Sequence, residues 1–369
     1  MVLEMVRSFT EKEVKPIASK MDAASEFPQT LVKALGEMGL MGAFIPTEYG
    51  GSGMDLLTYI LAMEEVSKAW ASLGVIMTVN NSLACDPINR FGNRAQKEKY
   101  LTPLAQGRLL GCYALTEPGA GSDAGGIATR ARREGSHYVL NGTKLFITNG
   151  KNADVAIVYA VTDPARGKKG ISAFIVEKAF PGFLVGKIED KMGLRGSDTA
   201  ELIFQECRVP AENLLGVENE GFKIALATLD GGRIGIAAQA LGIAQGAFEE
   251  ALAYAKERKQ FGRPIADFQA IQNMLADMKT EIDAARLLTH RAAWTRQQGR
   301  SVTEIAAKAK LYASEMANRV AYKAVQIFGG YGFIKEFPVE RFYRDARITT
   351  LYEGTSEVQR MVIARHLLQ

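Results

Sequence analysis

The stretch that decides the fold is HYVLNGTKLFITNG, His137 to Gly150, because it is β-type sequence within a chain whose two ends are helical in character. Its two apolar runs meet at Asn141-Gly142, the strongest short hairpin signal, since both residues tolerate positive φ. The β-branched runs VAIVYAV (155–161) and ISAFIVE (171–177) follow, and AELIFQECRVP (200–210) ends in proline. The sequence therefore predicts a middle β domain over residues 111–215, barrel-like in shape, with a hairpin turn at Asn141-Gly142.

Helical patterns flank this β region on both sides. Apolar residues recur at helical spacing in 31–41 and 56–71, with a glycine- and proline-rich break between them. Beyond Gly216, three longer apolar stripes follow the three-four alternation of long amphipathic helices. The expected fold is mainly α with a central β domain: an N-terminal α-helical domain over 1–110, the middle domain, and a C-terminal four-helix bundle over 216–369.

Composition indicates an ordinary globular protein. Hydrophobic residues make up 47% of the 369 residues and charged residues 23%, which argues against disorder along most of the chain. No apolar run approaches the roughly 20 residues that cross a bilayer. The N-terminus also lacks the basic-then-apolar pattern of a signal peptide. We therefore expect a soluble protein with no membrane insertion.

Several kinds of site are disfavoured by the residue inventory. The three cysteines lie far apart in the sequence, and no two of the three histidines have metal-ligand spacing, so neither disulfides, a metal site nor a Ser-His-Asp triad is expected. The net charge of +4 is a small imbalance between 45 basic and 41 acidic residues. Basic clusters such as RARR (130–133) are therefore interpreted as solvated surface, with no nucleic acid as partner.

Three glycine-rich or charged segments remain as candidates, and each also has a plain structural explanation. CYALTEPGAGSDAGG (112–126) has the wrong glycine spacing for a dinucleotide fingerprint; it is either a surface loop or a loop that holds a pyrophosphate or the edge of a heteroaromatic ring. QIFGGYGF (326–333) follows a helix, where glycine is commonly a C-cap. Arg258 either complements a helix dipole or binds a phosphate.

The carboxylate in LYEGTSEVQR (351–360) is the main candidate for catalysis. Glu353 directly precedes Gly354 and two hydroxyl residues near the end of the chain. In isolation, a surface glutamate before a helix capped by Thr355 or Ser356 is the simpler interpretation. The neighbouring motifs decide between the two.

Six motifs together resemble one enzyme family. In chain order they are YALTEPGAGSD (113–123), FITNG (146–150), RKQFGRPI (258–265), QIFGGYGF (326–333), YRDARI (343–348) and YEGTSEVQR (352–360). Their order and the helix–strand–helix zoning, which extend over essentially the whole chain, resemble the acyl-CoA dehydrogenase family, most closely its short-chain (butyryl-CoA) members. The resemblance implies tightly bound FAD and conversion of an acyl-CoA thioester to the trans-2-enoyl-CoA.

The resemblance also implies which residues contact FAD. A loop and a strand of the middle domain match the flavin contacts: Tyr113, Leu115, Thr116, Gly121, Ser122, Phe146, Ile147 and Thr148. Many relatives have tryptophan at the position of Phe146. Positions that contact FAD from a neighbouring subunit, and so imply a homotetramer, are matched by Arg258, Gln269, Gln326, Ile327, Phe328, Gly329 and Gly330. The cofactor set is completed by Gln260, Phe261, Thr355, Ser356 and Glu357.

Substrate and base positions follow from the same resemblance. The substrate positions are Ser122, Asp230, Gly231, Gly232, Arg233 and Gly354. Glu353 matches the catalytic base, which takes the α proton while the β hydride goes to flavin N5. An α proton beside a thioester carbonyl is weakly acidic, so it needs a positioned base and donors to the oxygen. Burial in an apolar pocket is expected to raise the pKa of such a carboxylate toward the working range.

Departures from the family pattern bear on the substrate. Gly232 stands where some relatives carry their base, which disfavours the isovaleryl and long-chain pattern, and LGVIMTVNNSLA (73–84) offers no cation for a glutaryl substrate. We expect short-chain acyl-CoA as substrate, with branched- and medium-chain thioesters left open, and electron-transfer flavoprotein as electron acceptor. A flavin oxidase or monooxygenase on the same fold is the alternative, and a non-catalytic flavoprotein that binds nucleic acid is disfavoured by the near-balanced charge. The expected compartment is the cytoplasm if the chain is bacterial and the mitochondrial matrix if it is eukaryotic.

Overall fold

The structure, a computed structural model, describes residues 2–368. Its N-terminal part is helical, and π-helical stretches at Thr10–Val14, Val79–Cys85 and Lys97–Leu101 join consecutive helices. The α-helices are α1 (Val2–Phe9), α2 (Lys15–Ala24), α3 (Gln29–Glu37), α4 (Leu56–Ala69), α5 (Ala71–Thr78), α6 (Asp86–Phe91), α7 (Arg94–Gln96) and α8 (Thr102–Ala105).

The centre of the N-terminal domain is the helix that continues from α5 into the π-helical stretch. Every side chain from Ala71 to Cys85 is buried, and the polar Asn80 and Asn81 are satisfied by donating to the Met41 and Leu40 carbonyls, each at 2.8 Å. α4 packs beside it and begins at Asp55, whose carboxylate accepts a hydrogen bond from the Thr58 N–H at 2.9 Å. This N-cap satisfies a donor that the first turn would otherwise leave unpaired.

The middle of the chain forms one eight-stranded sheet. The strands are β1 (Gly111–Ala114), β2 (Arg130–Glu134), β3 (His137–Thr148), β4 (Val155–Val161), β5 (Ile171–Glu177), β6 (Phe183–Ile188), β7 (Thr199–Pro210) and β8 (Leu214–Leu215). Their order is β6-β7-β3-β2-β4-β5-β8, with β1 parallel to β4. The two halves of the sheet meet through a single pair, Arg130 with Val161, and the end strands β6 and β8 do not pair. The middle β domain is confirmed, but its sheet is open and not a closed barrel.

The predicted hairpin turn at Asn141-Gly142 is wrong. β3 runs straight through both residues, and its register against β7 shifts between Leu140 and Gly142. The Asn141 side chain is hydrogen-bonded to Glu206 on β7 through two contacts, at 2.7 and 2.9 Å. Asn141 alone on β3 lies opposite two residues of β7, Gln205 and Glu206, so the register shift is a β-bulge in β7, where Glu206 has left-handed backbone (φ 49°). The turn lies earlier, between Glu134 and His137, which pair at the end of β2 and the start of β3.

The C-terminal part is helical, as predicted, with three long helices and two shorter ones. They are α9 (Gly221–Glu257), α10 (Gln269–Gln297), α11 (Thr303–Phe328), α12 (Val339–Ile348) and α13 (Ser356–Leu367), with the short pair β9 (Lys259–Gln260) and β10 (Arg263–Pro264) after α9. α9 packs against α10, α11 and α4. Gly242 and Gly246 allow this approach, since a Cβ there would lie 2.4 and 2.8 Å from carbonyl oxygens of α4.

Among residues 2–368, no helix combines the length and apolarity that a membrane span requires. In the same part of the chain, no group of three or more His, Cys, Asp or Glu side chains is placed to hold a metal ion.

Candidate active site

Glu353 lies in the turn between α12 and α13, and its carboxylate points inward. The turn has left-handed backbone at Glu353 (φ 50°) and Gly354 (φ 92°), and the Ser356 N–H closes it on the Thr350 carbonyl at 2.9 Å. A Cβ on Gly232 would lie 2.1 Å from Glu353 Oε2. The carboxylate is therefore packed directly against α9, at a point where only glycine leaves room for it.

The same carboxylate is buried and incompletely paired. Glu353 as a residue is half-buried, but its Oε2 is buried and has no hydrogen-bond partner among residues 2–368. Burial raises the pKa of Glu353 to about 7, while the charges of Lys310 and Arg233 act to lower it. Thr355 does cap α13, accepting the Val358 N–H at 3.3 Å. Thr355 therefore caps α13 as the simpler interpretation expected, but Glu353 is not the exposed surface glutamate that this interpretation also required.

The α9 residues predicted to contact substrate surround this carboxylate. Arg233 Nη1 donates to Asp230 at 2.7 Å, and Thr303 donates to the other oxygen of Asp230 at 2.6 Å. Arg233 Nε is buried and has no partner among the described residues. A Cβ on Gly231 would lie 2.2 Å from the guanidinium of Arg296. α9 thus brings Arg233 and Asp230 to within a turn of Gly232, which the Glu353 carboxylate contacts, and Arg296 of α10 packs against the neighbouring Gly231.

Tyrosine rings form the rest of the wall. Tyr113 packs against Tyr159, with ring centroids 5.1 Å apart, and its hydroxyl donates to the Ala225 carbonyl at 3.4 Å. The Tyr352 hydroxyl is hydrogen-bonded to the side chain of Gln239. Burial raises the pKa of Tyr113 and of Tyr352 well above the ordinary value. These phenols stay neutral at physiological pH, so they add dry surface and no charge.

The glycine-rich loop after β1 is fixed to β3 by a buried ion pair that sequence reasoning missed. Lys144, completely buried, donates to Glu117 at 2.8 Å and to the Leu115 carbonyl at 3.1 Å. The next residue, Leu145, donates its N–H to the Thr116 carbonyl at 2.9 Å. Burial lowers the pKa of Lys144 to about 8, and the carboxylate of Glu117 opposes that shift. The alternation of β3 did carry a signal: a lysine at a core-facing position of a strand needs a buried partner.

The surface beside this loop suits a flat ring system. Cβ atoms built on Gly119 and Gly121 would meet nothing within 4 Å, so the loop backbone is open on that side. Phe146 is 60% exposed and has left-handed backbone (φ 58°). An exposed aromatic ring held in a strained conformation beside a glycine-rich loop with free space along its backbone fits a planar heteroaromatic ligand with a phosphate tail. Ser122 is exposed on the same loop.

Three of the remaining residues predicted to contact the cofactor, Thr355, Ser356 and Glu357, lie beside Glu353 at the start of α13, and the others form a separate site. A cavity of about 440 Å³ is lined by Tyr254, Arg258, Gln260, Ile265, Ile327, Phe328, Gly329, Gly330, Tyr331 and Ile334. Phe261, Gln269 and Gln326 are exposed near it on the same elements. Arg233 lies in α9 and Arg258 caps the C-terminal end of this helix, 25 residues later, which separates them by roughly 38 Å at 1.5 Å per residue. The structure therefore does not bring this cavity and Glu353 together within one chain.

Comparison with protein-family models gives three adjacent matches. They are the N-terminal domain of acyl-CoA dehydrogenase over residues 1–108, the middle domain over 112–207 and the C-terminal domain over 219–368. Among curated proteins, the chain is 55% identical over 364 residues to a short-chain specific acyl-CoA dehydrogenase of Clostridium acetobutylicum; the match covers 99% of this chain and 96% of that protein.

Two solved structures are closely similar over the full chain. One, described as electron transferring flavoprotein of Acidaminococcus fermentans, is 53% identical in sequence and has a TM-score of 0.99. The match covers 100% of this chain and 97% of the chain in that structure. The other is butyryl-CoA dehydrogenase of Megasphaera elsdenii, 50% identical with a TM-score of 0.98 and the same two coverages. The fold and the sequence thus match over the same residues.

Proposed function

Because this chain belongs to the acyl-CoA dehydrogenase family, we propose that it dehydrogenates short-chain acyl-CoA thioesters, with Glu353 as the base that takes the α proton. The observation that carries the proposal is the Glu353 carboxylate itself. It is buried, has one oxygen without a partner and faces Gly232 across a gap that no side chain could share. Such a carboxylate is suited to accept a proton and poorly explained as a structural ion pair.

The chain also supplies groups that can orient the thioester. The backbone N–H of Glu353 donates to no acceptor among residues 2–368, so it is free to bind the thioester oxygen. A donor at that atom stabilises the negative charge that develops as the α proton leaves. The pKa of about 7 means that the base is half ionised near neutral pH and can take up a proton without a large free-energy cost.

FAD is the proposed cofactor, held by the glycine-rich loop and the edge of β3, and when bound there it would supply the acceptor for the β hydride. Thr116, Ser122 and Thr148 are the hydroxyl side chains placed along this surface, and Phe146 would cover one face of the ring. The second set of predicted cofactor contacts lines the cavity around Arg258, roughly 38 Å along α9 from Arg233. We therefore propose that a neighbouring copy supplies it, in a homotetramer.

A short acyl chain is favoured by the packing beyond the base. One turn along α9 from Gly232, a Cβ on Gly235 would lie 2.2 Å from Thr78 Oγ1. α5 and α9 therefore touch there, which closes the space between them within a few ångströms of the carboxylate. The similarity to a short-chain specific enzyme and to a butyryl-CoA dehydrogenase supports the same choice. Electron-transfer flavoprotein is the proposed acceptor, on the strength of the structural match that bears that description.

The proposal is tested on the purified holoprotein under anaerobic conditions. Butyryl-CoA is expected to bleach the yellow flavin and to yield the trans-2-enoyl thioester, and electron-transfer flavoprotein is expected to restore the colour. A panel from butyryl- to dodecanoyl-CoA, with branched members, measures the chain-length preference. Bleaching by none of them would contradict the proposed reaction. Rapid recovery of the colour in air without the acceptor protein would favour an oxidase.

A further inference from the structure

The observation behind a further inference is a buried lysine next to the base. Lys310, on α11, is completely buried, and its Nζ donates to the carbonyl of Gly354 at 2.7 Å. None of the ion pairs among residues 2–368 includes Lys310. A buried ammonium without a carboxylate partner is costly and needs a compensating role. Lys310 was not among the residues predicted from the sequence to form the site.

We propose that Lys310 is a positioning residue for the base: its ammonium group fixes the Glu353–Gly354 turn and is the unneutralised positive charge that acts on the Glu353 carboxylate. This inference rests on the proposed function. Lys310 touches neither the substrate nor the reacting atoms; it acts through Glu353.

The geometry of the turn supports the first half of the proposal. Glu353 is a non-glycine residue in left-handed backbone, a conformation that costs about 1 kcal/mol or more and persists only where the surroundings fix it. Two side chains fix it here. Lys310 and Gln359 both donate to the Gly354 carbonyl, at 2.7 and 2.9 Å, and Gln359 also reaches the Glu353 carbonyl at 3.2 Å.

The charges around the carboxylate support the second half. Two cations act on Glu353, Lys310 more strongly than Arg233. Arg233 is already paired with Asp230, so its field is largely cancelled. The titratable and charged groups on the elements packed around Glu353 are Arg233 and Asp230 on α9, Lys310 and Glu315 on α11, Glu357 on α13, Tyr59 on α4, Tyr113 on β1, Tyr352 in the turn, and the ion pair of Arg296 on α10 with Asp86 on α6.

The pKa values agree with this arrangement. Burial lowers the pKa of Lys310 to about 8, and Glu353 acts to raise it. Burial raises the pKa of Glu353 to about 7 even with Lys310 beside it. Without the ammonium group, the carboxylate would keep its desolvation and lose its main counter-charge, so its pKa would rise further. The lysine thus keeps part of the base ionised at neutral pH.

The experiment uses three variants of the holoenzyme. Lys310→Gln keeps a hydrogen-bond donor but removes the charge, Lys310→Met removes both, and Lys308→Met is the matched control. Lys308 lies two residues away on α11, half exposed and paired with Glu304. Flavin bleaching by butyryl-CoA is followed anaerobically against pH, with thermal unfolding and FAD content measured in parallel.

Each variant has its own expected result. Both Lys310 variants are expected to shift the midpoint of the pH–rate profile upward by about one unit, which makes bleaching about fivefold slower at neutral pH. The Gln variant should recover the wild-type rate on the alkaline side, whereas the Met variant should stay slower because its turn is loosened. Lys308→Met should match the wild type.

A wild-type midpoint in a folded, FAD-loaded Lys310→Gln protein would overturn the inference, and that variant is decisive even if Lys310→Met does not fold. Failure of the wild type to bleach would instead overturn the proposed function, so the two failures are distinguishable.

Discussion

At the scale of single residues, the site depends on the Glu353 carboxylate, which the fold holds in an environment unfavourable to its charge. Glu353 combines left-handed backbone, a buried oxygen without a partner and a raised pKa. Strain and desolvation of this kind cluster at functional positions because the rest of the fold compensates for them. The residue that makes room for it, Gly232, is equally specific, since any side chain there would displace the carboxylate.

The same desolvation predicts how stability changes with pH. The pKa of Glu353 is raised above its value in an unfolded chain, so its contribution to stability is complete below the unfolded pKa and is lost as pH rises through about 7. Glu353→Gln has no carboxylate to ionise at this position, so its stability does not fall in this pH range. We expect the variant to gain stability over the wild type between about pH 5 and about pH 8, by up to about 3 kcal/mol.

Thermal unfolding midpoints of both proteins at the two pH values measure this effect. Glu357→Gln is the control, because the pKa of that exposed carboxyl is lowered by its own backbone and Thr355 and its charge favours the helix start. Glu357→Gln should therefore lower the unfolding midpoint, whereas Glu353→Gln should raise it. Equal midpoints for Glu353→Gln and the wild type at both pH values would contradict the buried, raised-pKa description.

Some of these residues could be found from the sequence and others could not. Glu353 and Gly232 were identified because they lie in motifs that resemble a family. Lys310 was missed because a lysine on a helix is usually exposed. The signal was nevertheless present: Lys310 lies on one helical face with Ala306, Ala313 and Ala317, which are all buried. A lysine at the spacing of buried alanines is a residue whose partner should be looked for.

At the scale of elements, local sequence signals identified the strands and helices but not all of their connections. β4, β5 and the long helices match the expected runs closely, because periodicity reports which face is buried. Asn141-Gly142 did not form the expected turn. The dipeptide permits a turn but does not require one, and pairing with β7, more than 50 residues away in the chain, keeps both residues in β3 opposite the bulge at Gln205 and Glu206.

The close packing of Gly142, beside the residue that faces this bulge, can be tested by adding a side chain there. A Cβ on Gly142 would lie 2.7 Å from the Thr129 Cα, whereas a Cβ on Gly135, in the true turn, would meet nothing within 4 Å. Gly142→Ala is therefore expected to cost about 2–4 kcal/mol of stability. Gly135→Ala should cost only the roughly 1 kcal/mol of its positive φ. Unfolding midpoints of the two variants measure the difference, and equal values would contradict the close packing at the bulge.

At the scale of the whole molecule, α12 joins the three parts of the chain. The Asp345 carboxylate accepts the N–H of Leu194 from the middle domain at 2.6 Å, and Arg344 donates to Asp22 of α2 at 2.9 Å. This gives the YRDARI motif a physical role that its sequence alone did not show. The division into 1–110, 111–215 and 216–369 stays a prediction, although the element types change near those positions.

The proposed assembly is tested through Arg258. The guanidinium lies over the Tyr331 ring at 5.2 Å and lines the cavity distant from Glu353. If a neighbouring copy uses it to hold the cofactor, Arg258→Ala should weaken FAD retention about tenfold or more, since a charge-assisted contact is worth about 1.5–3 kcal/mol. The native mass should fall together with the FAD content.

Arg263→Ala is the matched control for that experiment. Arg263 lies in the same connection, exposed, with its guanidinium 4.4 Å from the centre of the Phe268 ring. Its substitution should leave both FAD content and mass unchanged. A fully loaded, stable tetramer of the Arg258→Ala protein would contradict a role across the subunit boundary.

The central claim, that Glu353 takes the α proton, is tested most directly by anaerobic single-turnover reduction of the flavin by butyryl-CoA in the Glu353→Gln protein. The amide keeps the shape of the side chain but cannot accept the proton. Reduction is expected to be slower than in the wild type by about a hundredfold to ten thousandfold, with FAD content and acyl-CoA binding unchanged. Reduction at close to the wild-type rate would contradict the claim and place the base elsewhere.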